Sequence, residues 1–132
     1  MPEVIDITAE EVRQIDSAYA DMIGSLRVKY SEEDDVQMRA AFELAKKSHW
    51  HQRRKSGEPY ILHPIAVARI CAEEIGLGPT AICSALLHDV VEDTPITLED
   101  IETQFGERIA TMVNWLTKLE LSTQEESQLA AN

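Results

Sequence analysis

The chain is expected to fold as an all-α domain, on three observations. Ser or Thr residues stand three positions before an acid at three places, the spacing of a capping box or its aspartate variant. Apolar residues recur at helical rather than alternating spacing over most of the chain. Proline and glycine stand where helices would begin and end, not inside them.

Thr8 with Glu11 opens the first helix, whose apolar period persists over 8–30. Ser31 with Asp34 opens the second, over 32–50. In HPIAVARICAEEIG, Pro64 suits the first helical position, where its missing N–H costs nothing, and Gly76 suits the C′ position, so a third helix is predicted over 64–75. The stretch GPTAICSALLHDVVEDTP opens at Pro79 and must stop before Pro95. Between them 80–91 is apolar on nearly every side, as the most buried helix of a bundle would be. Thr97 with Asp100 starts a further helix, and 107–121 is periodic again. The main irregular segment is RRKSGEPYILH, interrupted by Gly57 and Pro59.

No repeat, low-complexity tract or linker divides the 132 residues, which suit one domain with a core of its own. The tail LSTQEESQLAAN has no stop signal and few residues to bury, so it reads as the edge of a longer protein. A formal net charge of −12 opposes general binding of DNA or of an anionic membrane, because both are polyanions. Cys71 and Cys83 lie in apolar segments without CxxC spacing and are expected to be small buried hydrophobes in a reducing compartment. No targeting segment opens MPEVIDITAEE, and no run approaches the ~18 apolar residues of a membrane span, so a soluble cytoplasmic protein is expected.

Charge placement points to chemistry. If Pro95 ends the helix that holds LLHDVVEDTP, then Asp89, Glu92 and Asp93 crowd its negative pole, where each exposed acid is unfavourable by roughly 0.3–1 kcal/mol. Residues four apart share a face, so His88 lies under Glu92 and Asp89 under Asp93. A divalent cation would offset both the dipole and the repulsion, and imidazole with carboxylate suits Mn, Fe or Zn without selecting among them. His63, expected at the N-cap before Pro64, would add a third ligand and leave positions open for water or substrate. Taken singly, His63 also reads as a cap and the acids as a solvated surface.

A second constellation lies nearby. Lys46, Lys47, Arg53, Arg54 and Lys55 place five of the twelve basic residues within ten positions. Such a patch can focus an anion: Arg54 offers a planar fork for phosphate or for stacking on a base, and Ser56 and Gly57 a hydroxyl and an approachable backbone. A solvated charged loop is the plain alternative. Because the loop runs into His63, phosphate beside metal suggests hydrolysis of a phosphoester or pyrophosphate. His49 and His51, at the end of a lysine-rich helix, are assigned no catalytic role.

Taken together, HWHQRRKSGEPYILHP, then ALLHDVVEDTPITLEDIETQFG, then LTKLE resemble successive motifs of the RelA/SpoT homologue family, in its N-terminal HD-type hydrolase domain. The similarity runs from about Ala40 to Asn132. It implies an HD-domain helical bundle, of which this chain would be the N-terminal part, and a manganese-dependent enzyme. That enzyme removes the 3′-diphosphate from the alarmones guanosine 3′,5′-bis(diphosphate) and its pentaphosphate form, leaving GDP or GTP and pyrophosphate.

Carried over by position, His63, His88 and Asp89 match metal ligands, and Glu92 with Asp93 match the acids that activate the attacking water. Arg54, Lys55 and Ser56 match the loop that contacts the guanine nucleotide. HDVVED is intact, whereas synthetase-only members have lost it. Three departures are visible: ICAEEIGLGPT is one residue longer than in some relatives, an addition expected in a loop; Trp115 stands where a small residue is common; and the family's fourth ligand, an aspartate, lies beyond Asn132. The chain alone is therefore expected to be a weak enzyme that covers exposed core by self-association. Another HD nucleotide phosphohydrolase and a noncatalytic helical module are the competing readings.

Overall fold

The structure, a computed structural model, describes the backbone of residues 6–131 and the side-chain surroundings of residues 6–119. Among the described residues it is helical, without strands. The helices are α1 (Ala9–Gly24), α2 (Glu32–Ser48), α3 (Leu62–Ile70), α4 (Pro79–Asp93), α5 (Leu98–Phe105) and α6 (Glu107–Ala131).

All three predicted capping boxes form. Glu11 N–H donates to Thr8 Oγ1 at 3.1 Å while Thr8 N–H donates to Glu11 Oε1 at 3.0 Å. Ser31 with Asp34 and Thr97 with Asp100 repeat the reciprocal pair. Each box satisfies two N–H groups that a helix start otherwise leaves unpaired.

Helix ends differ more from expectation. The period over 8–30 outruns the first helix, which stops at Gly24. There the Ser25 hydroxyl donates to the Met22 carbonyl at 2.7 Å and the Ser25 N–H turns back onto Asp21 and Met22, closing the last turn. α3 begins two residues before Pro64, so His63 lies inside the first turn and Ile61 holds the N-cap position. Short i→i+3 bonds, Leu62 N–H to Pro59 and His63 N–H to Tyr60, start the helix from the loop side.

α3 then widens into a π turn, Cys71–Ile75. A π turn holds more residues per turn than an α turn, so the first part of ICAEEIGLGPT is helical rather than loop. Gly76, at φ 81°, ends it in the left-handed region, and Leu77 N–H donates to the Cys71 carbonyl at 2.8 Å.

α4 is the centre of the fold, packed against α2, α3 and α6, with α1 on α3 and α5 on α6. Ile82 through Leu87 are buried without a break, which is why this segment carries no polar face. They meet Phe42, Met38, Ile61, Ile65 and Val113 in one core, so truncating Leu86 to Ala is expected to cost about 2–5 kcal/mol. Cys83 lies within this core and burial pushes its thiol up to about 12, in keeping with a small hydrophobe; both cysteines are free. Trp115, 62% exposed with the Lys118 ammonium 5.7 Å from its ring, meets no steric demand for a small residue. Among the described residues no helix is long and apolar enough to cross a membrane. The side chains of LSTQEESQLAAN lie outside the described residues.

Candidate metal and nucleotide site

The buried helix carries one carboxylate into its apolar surroundings. Asp89 is 3% exposed, and an ionised acid so placed needs partners. Tyr60 supplies one, donating its hydroxyl to Asp89 Oδ2 at 2.9 Å, and His88 Nε2 stands 3.1 Å from Oδ1. Burial by itself raises this carboxyl, but the contacts with His88 and Tyr60 and the charge of His49 outweigh it, leaving Asp89 below the ordinary aspartate range.

His88 is oriented by its own helix. Nδ1 lies 2.8 Å from the Ala85 carbonyl. A carbonyl only accepts, so Nδ1 carries a hydrogen and Nε2 is the nitrogen turned toward Asp89. Two lone pairs at that separation repel unless a proton or a cation serves both. Ligand atoms each about 2.1 Å from an ion and at right angles stand about 3.0 Å apart, so the pair fits two neighbouring ligands of one divalent cation.

Electrostatics at the end of α4 point the same way. The helix extends through Asp93, with Glu92 and Asp93 exposed in its last turn and no basic residue there. His63 joins this region through Tyr60, whose ring meets it edge-on at 5.9 Å between centroids. Among the described residues no three His, Cys, Asp or Glu side chains are gathered closely enough to hold a metal ion. The structure therefore brings His88 and Asp89 together and leaves His63 against the Tyr60 ring rather than in a closed triad.

The loop between α2 and α3 is a small hairpin without strands. Arg53 bridges Pro59, Tyr60 N–H donates to the Gln52 carbonyl at 2.9 Å, and Gly57 N–H closes the turn on the Arg54 carbonyl at 2.8 Å. Gly57 has φ 100°, a conformation that a Cβ would strain.

The basic patch expected here is smaller than five residues, because two of them are engaged elsewhere. Arg53 binds the Glu11 carboxylate through both terminal nitrogens, at 2.7 and 2.8 Å, and donates to the Gly57 and Asp6 carbonyls. Lys46 lies between Asp16 and Glu43, above the Phe42 ring. Lys47, Arg54 and Lys55 remain exposed. Ser56 is exposed as well, but its hydroxyl and the backbone hold the Glu58 carboxyl below its ordinary range.

Two contributors escaped the reading from spacing. Tyr60 is 29 positions from Asp89, and nothing local announces their hydrogen bond. His49 is fully buried, packed on Tyr60 at 4.8 Å between ring centroids. Its position at the end of α2 could have flagged it only if burial had been foreseen.

An α-helical bundle whose buried central helix carries an adjacent His and Asp defines the class, and the chain belongs to the HD domain family, whose model matches residues 41–132. The chain is also similar to proteins named for (p)ppGpp hydrolysis or as GTP pyrophosphokinases. The guanosine-3′,5′-bis(diphosphate) 3′-pyrophosphohydrolase of Aquifex aeolicus is 48% identical over 83 residues, covering 63% of this chain and 12% of that protein. The bifunctional (p)ppGpp synthase/hydrolase SpoT of Escherichia coli is 47% identical over 92 residues, covering 69% and 13%. A probable GTP pyrophosphokinase of Mycobacterium leprae is 50% identical over 80 residues, covering 61% and 10%. The chain thus spans between 10% and 13% of the length of these relatives.

Proposed function

We propose that the protein acts in the cytoplasm as a manganese-dependent hydrolase of guanosine 3′,5′-bis(diphosphate) and its pentaphosphate form, releasing pyrophosphate and leaving GDP or GTP. One observation carries the reading: His88 Nε2 and Asp89 Oδ1 stand 3.1 Å apart with the other nitrogen and the other oxygen already committed to Ala85 and Tyr60. The names of the similar hydrolases supply the substrate class.

His63, His88 and Asp89 would hold the ion. When bound, a divalent cation polarises the diphosphate and makes a bound water more acidic. His88 presents Nε2 because Ala85 holds its other nitrogen, and Asp89 presents Oδ1 because Tyr60 holds its other oxygen. Glu92 and Asp93, one turn farther along α4 and open to solvent, accept the proton of the attacking water. The water oxygen bonds the phosphorus attached to the ribose O3′, the O3′–P bond breaks, and the 3′ oxygen leaves as a hydroxyl after taking up a proton. Arg54 stacks on the base or forks onto phosphate, Lys55 contributes charge, and Ser56, next to them on the same turn, completes the nucleotide-binding loop.

The test incubates the protein with guanosine 3′,5′-bis(diphosphate) and Mn2+ and separates the products. Formation of GDP and pyrophosphate that needs both the metal and Asp89 supports the reading. Release of inorganic phosphate instead, or an unchanged rate in Asp89→Asn, contradicts it.

A further inference from the structure

Behind the His88–Asp89 pair lies a layer of side chains that the proposed chemistry does not use. Tyr60 sits at its middle: its hydroxyl donates to Asp89 Oδ2 and its ring lies between those of His49 and His63. His49 is fully buried, and its Nδ1 stands 2.8 Å from Gln52 Oε1. An amide oxygen only accepts, so Nδ1 bears a hydrogen toward Gln52, and Nε2 is the ring's other nitrogen. That atom is buried and has no hydrogen-bond partner. Folded proteins seldom leave a buried polar atom unpaired, and an apolar residue would fill the same space without that defect.

We infer that His49 and Tyr60 are positioning residues for the metal site, Tyr60 fixing the rotamer of Asp89 and His49 fixing the ring of Tyr60. The inference rests on the metal-site reading above and adds two residues to it. Asp89 has two oxygens, and only one can face the ion at the 3.1 Å spacing from His88. With Oδ2 tied to Tyr60, the carboxylate cannot rotate to offer the other oxygen or to chelate with both. The Tyr60 hydroxyl is placed in turn by its ring, held on one face by His49. Gln52 locks both: its side chain fixes Nδ1 of His49, and its carbonyl accepts the Tyr60 N–H at 2.9 Å. Residues 49, 52 and 60 thus form one unit that carries the loop geometry to the ligand.

The test measures Mn2+ affinity of the whole chain from the paramagnetic resonance of free Mn2+, with folding checked by circular dichroism at the same temperature. Tyr60→Phe keeps the ring and removes only the hydroxyl, and it is expected to weaken Mn2+ binding by about tenfold or more. His49→Gln is expected to weaken it by less, and to add nothing in the Tyr60→Phe background, because it acts through the hydroxyl that is already gone. The visible spectrum of bound Co2+ should change in Tyr60→Phe, reporting altered ligand geometry. If His49→Gln does not fold, Gln52→Leu takes its place in the cycle. Additive losses, or Mn2+ affinity within twofold of wild type in Tyr60→Phe, overturn the inference. Asp89→Asn, run in parallel, separates the two levels: loss of binding there with no effect at Tyr60 sinks only the positioning role, whereas unchanged binding there sinks the metal site as well.

Discussion

Arg53 donates to both oxygens of Glu11 and to two backbone carbonyls, whereas Arg54, its neighbour in sequence, stays exposed on the turn. The bridge to Pro59 shows why: adjacent residues of an extended segment face opposite ways, so one arginine turns toward α1 and the other toward solvent. Arg53 fastens the loop to the start of α1, and Arg54 stays open to solvent, where the proposed function has it meet the nucleotide. The charges of RRK are therefore not one patch, and their substitutions should separate stability from binding.

The largest effect expected is on nucleotide affinity. Arg54→Ala removes a charge-assisted contact of about 1.5–3 kcal/mol, so binding of guanosine 3′,5′-bis(diphosphate) measured by calorimetry should weaken by roughly ten- to a hundredfold. Its Tm should not move. Arg53→Ala should do the reverse in kind: a Tm lower by several degrees and faster amide exchange in the loop, with a smaller loss of affinity that follows from disorder of the turn. If the two variants behave alike, the division of labour in the loop is wrong.

The Glu11 clasp also predicts a pH dependence. Hydrogen bonds from Arg53, then from Thr8, hold the Glu11 carboxyl at about 2, against an ordinary 4.5. Because the folded value is the lower one, its stabilising contribution is complete above about pH 4.5, shrinks as pH falls toward 2, and is absent below that. The Tm difference between wild type and Glu11→Gln should follow this course. A difference that stays constant from pH 6 to pH 2 would show that the carboxylate charge is not what matters. The smallest effect is expected at Ser56→Ala, less than twofold on nucleotide binding, because the hydroxyl is engaged with Glu58.

These contrasts also show what a sequence reveals. Helix starts were legible because a capping box is local: Thr8 and Glu11, or Thr97 and Asp100, need nothing beyond their own turn. The central helix was legible because burial on all sides leaves no polar stripe. His88 and Asp89 drew notice in the sequence because acids at a helix C-terminus contradict the dipole. The end of α1, the π turn and the place of His63 were not, since each depends on how a chain end is tied by bonds that several sequences can make. Least legible were partners far apart in sequence: Glu11 for Arg53 across 42 positions and Tyr60 for Asp89 across 29. Only the tertiary fold brings these together, and with them it removes Arg53 and Lys46 from the basic patch.

If His88 and Asp89 of α4 bind a divalent cation, thermal unfolding with and without Mn2+ shows it most directly. A ligand that binds only the folded state stabilises by about 2.7 kcal/mol at a hundredfold excess over its Kd. Wild type should therefore gain several degrees in Tm on adding Mn2+, and Asp89→Asn should gain none while remaining folded without metal. No shift in wild type, or an equal shift in Asp89→Asn, would contradict the account.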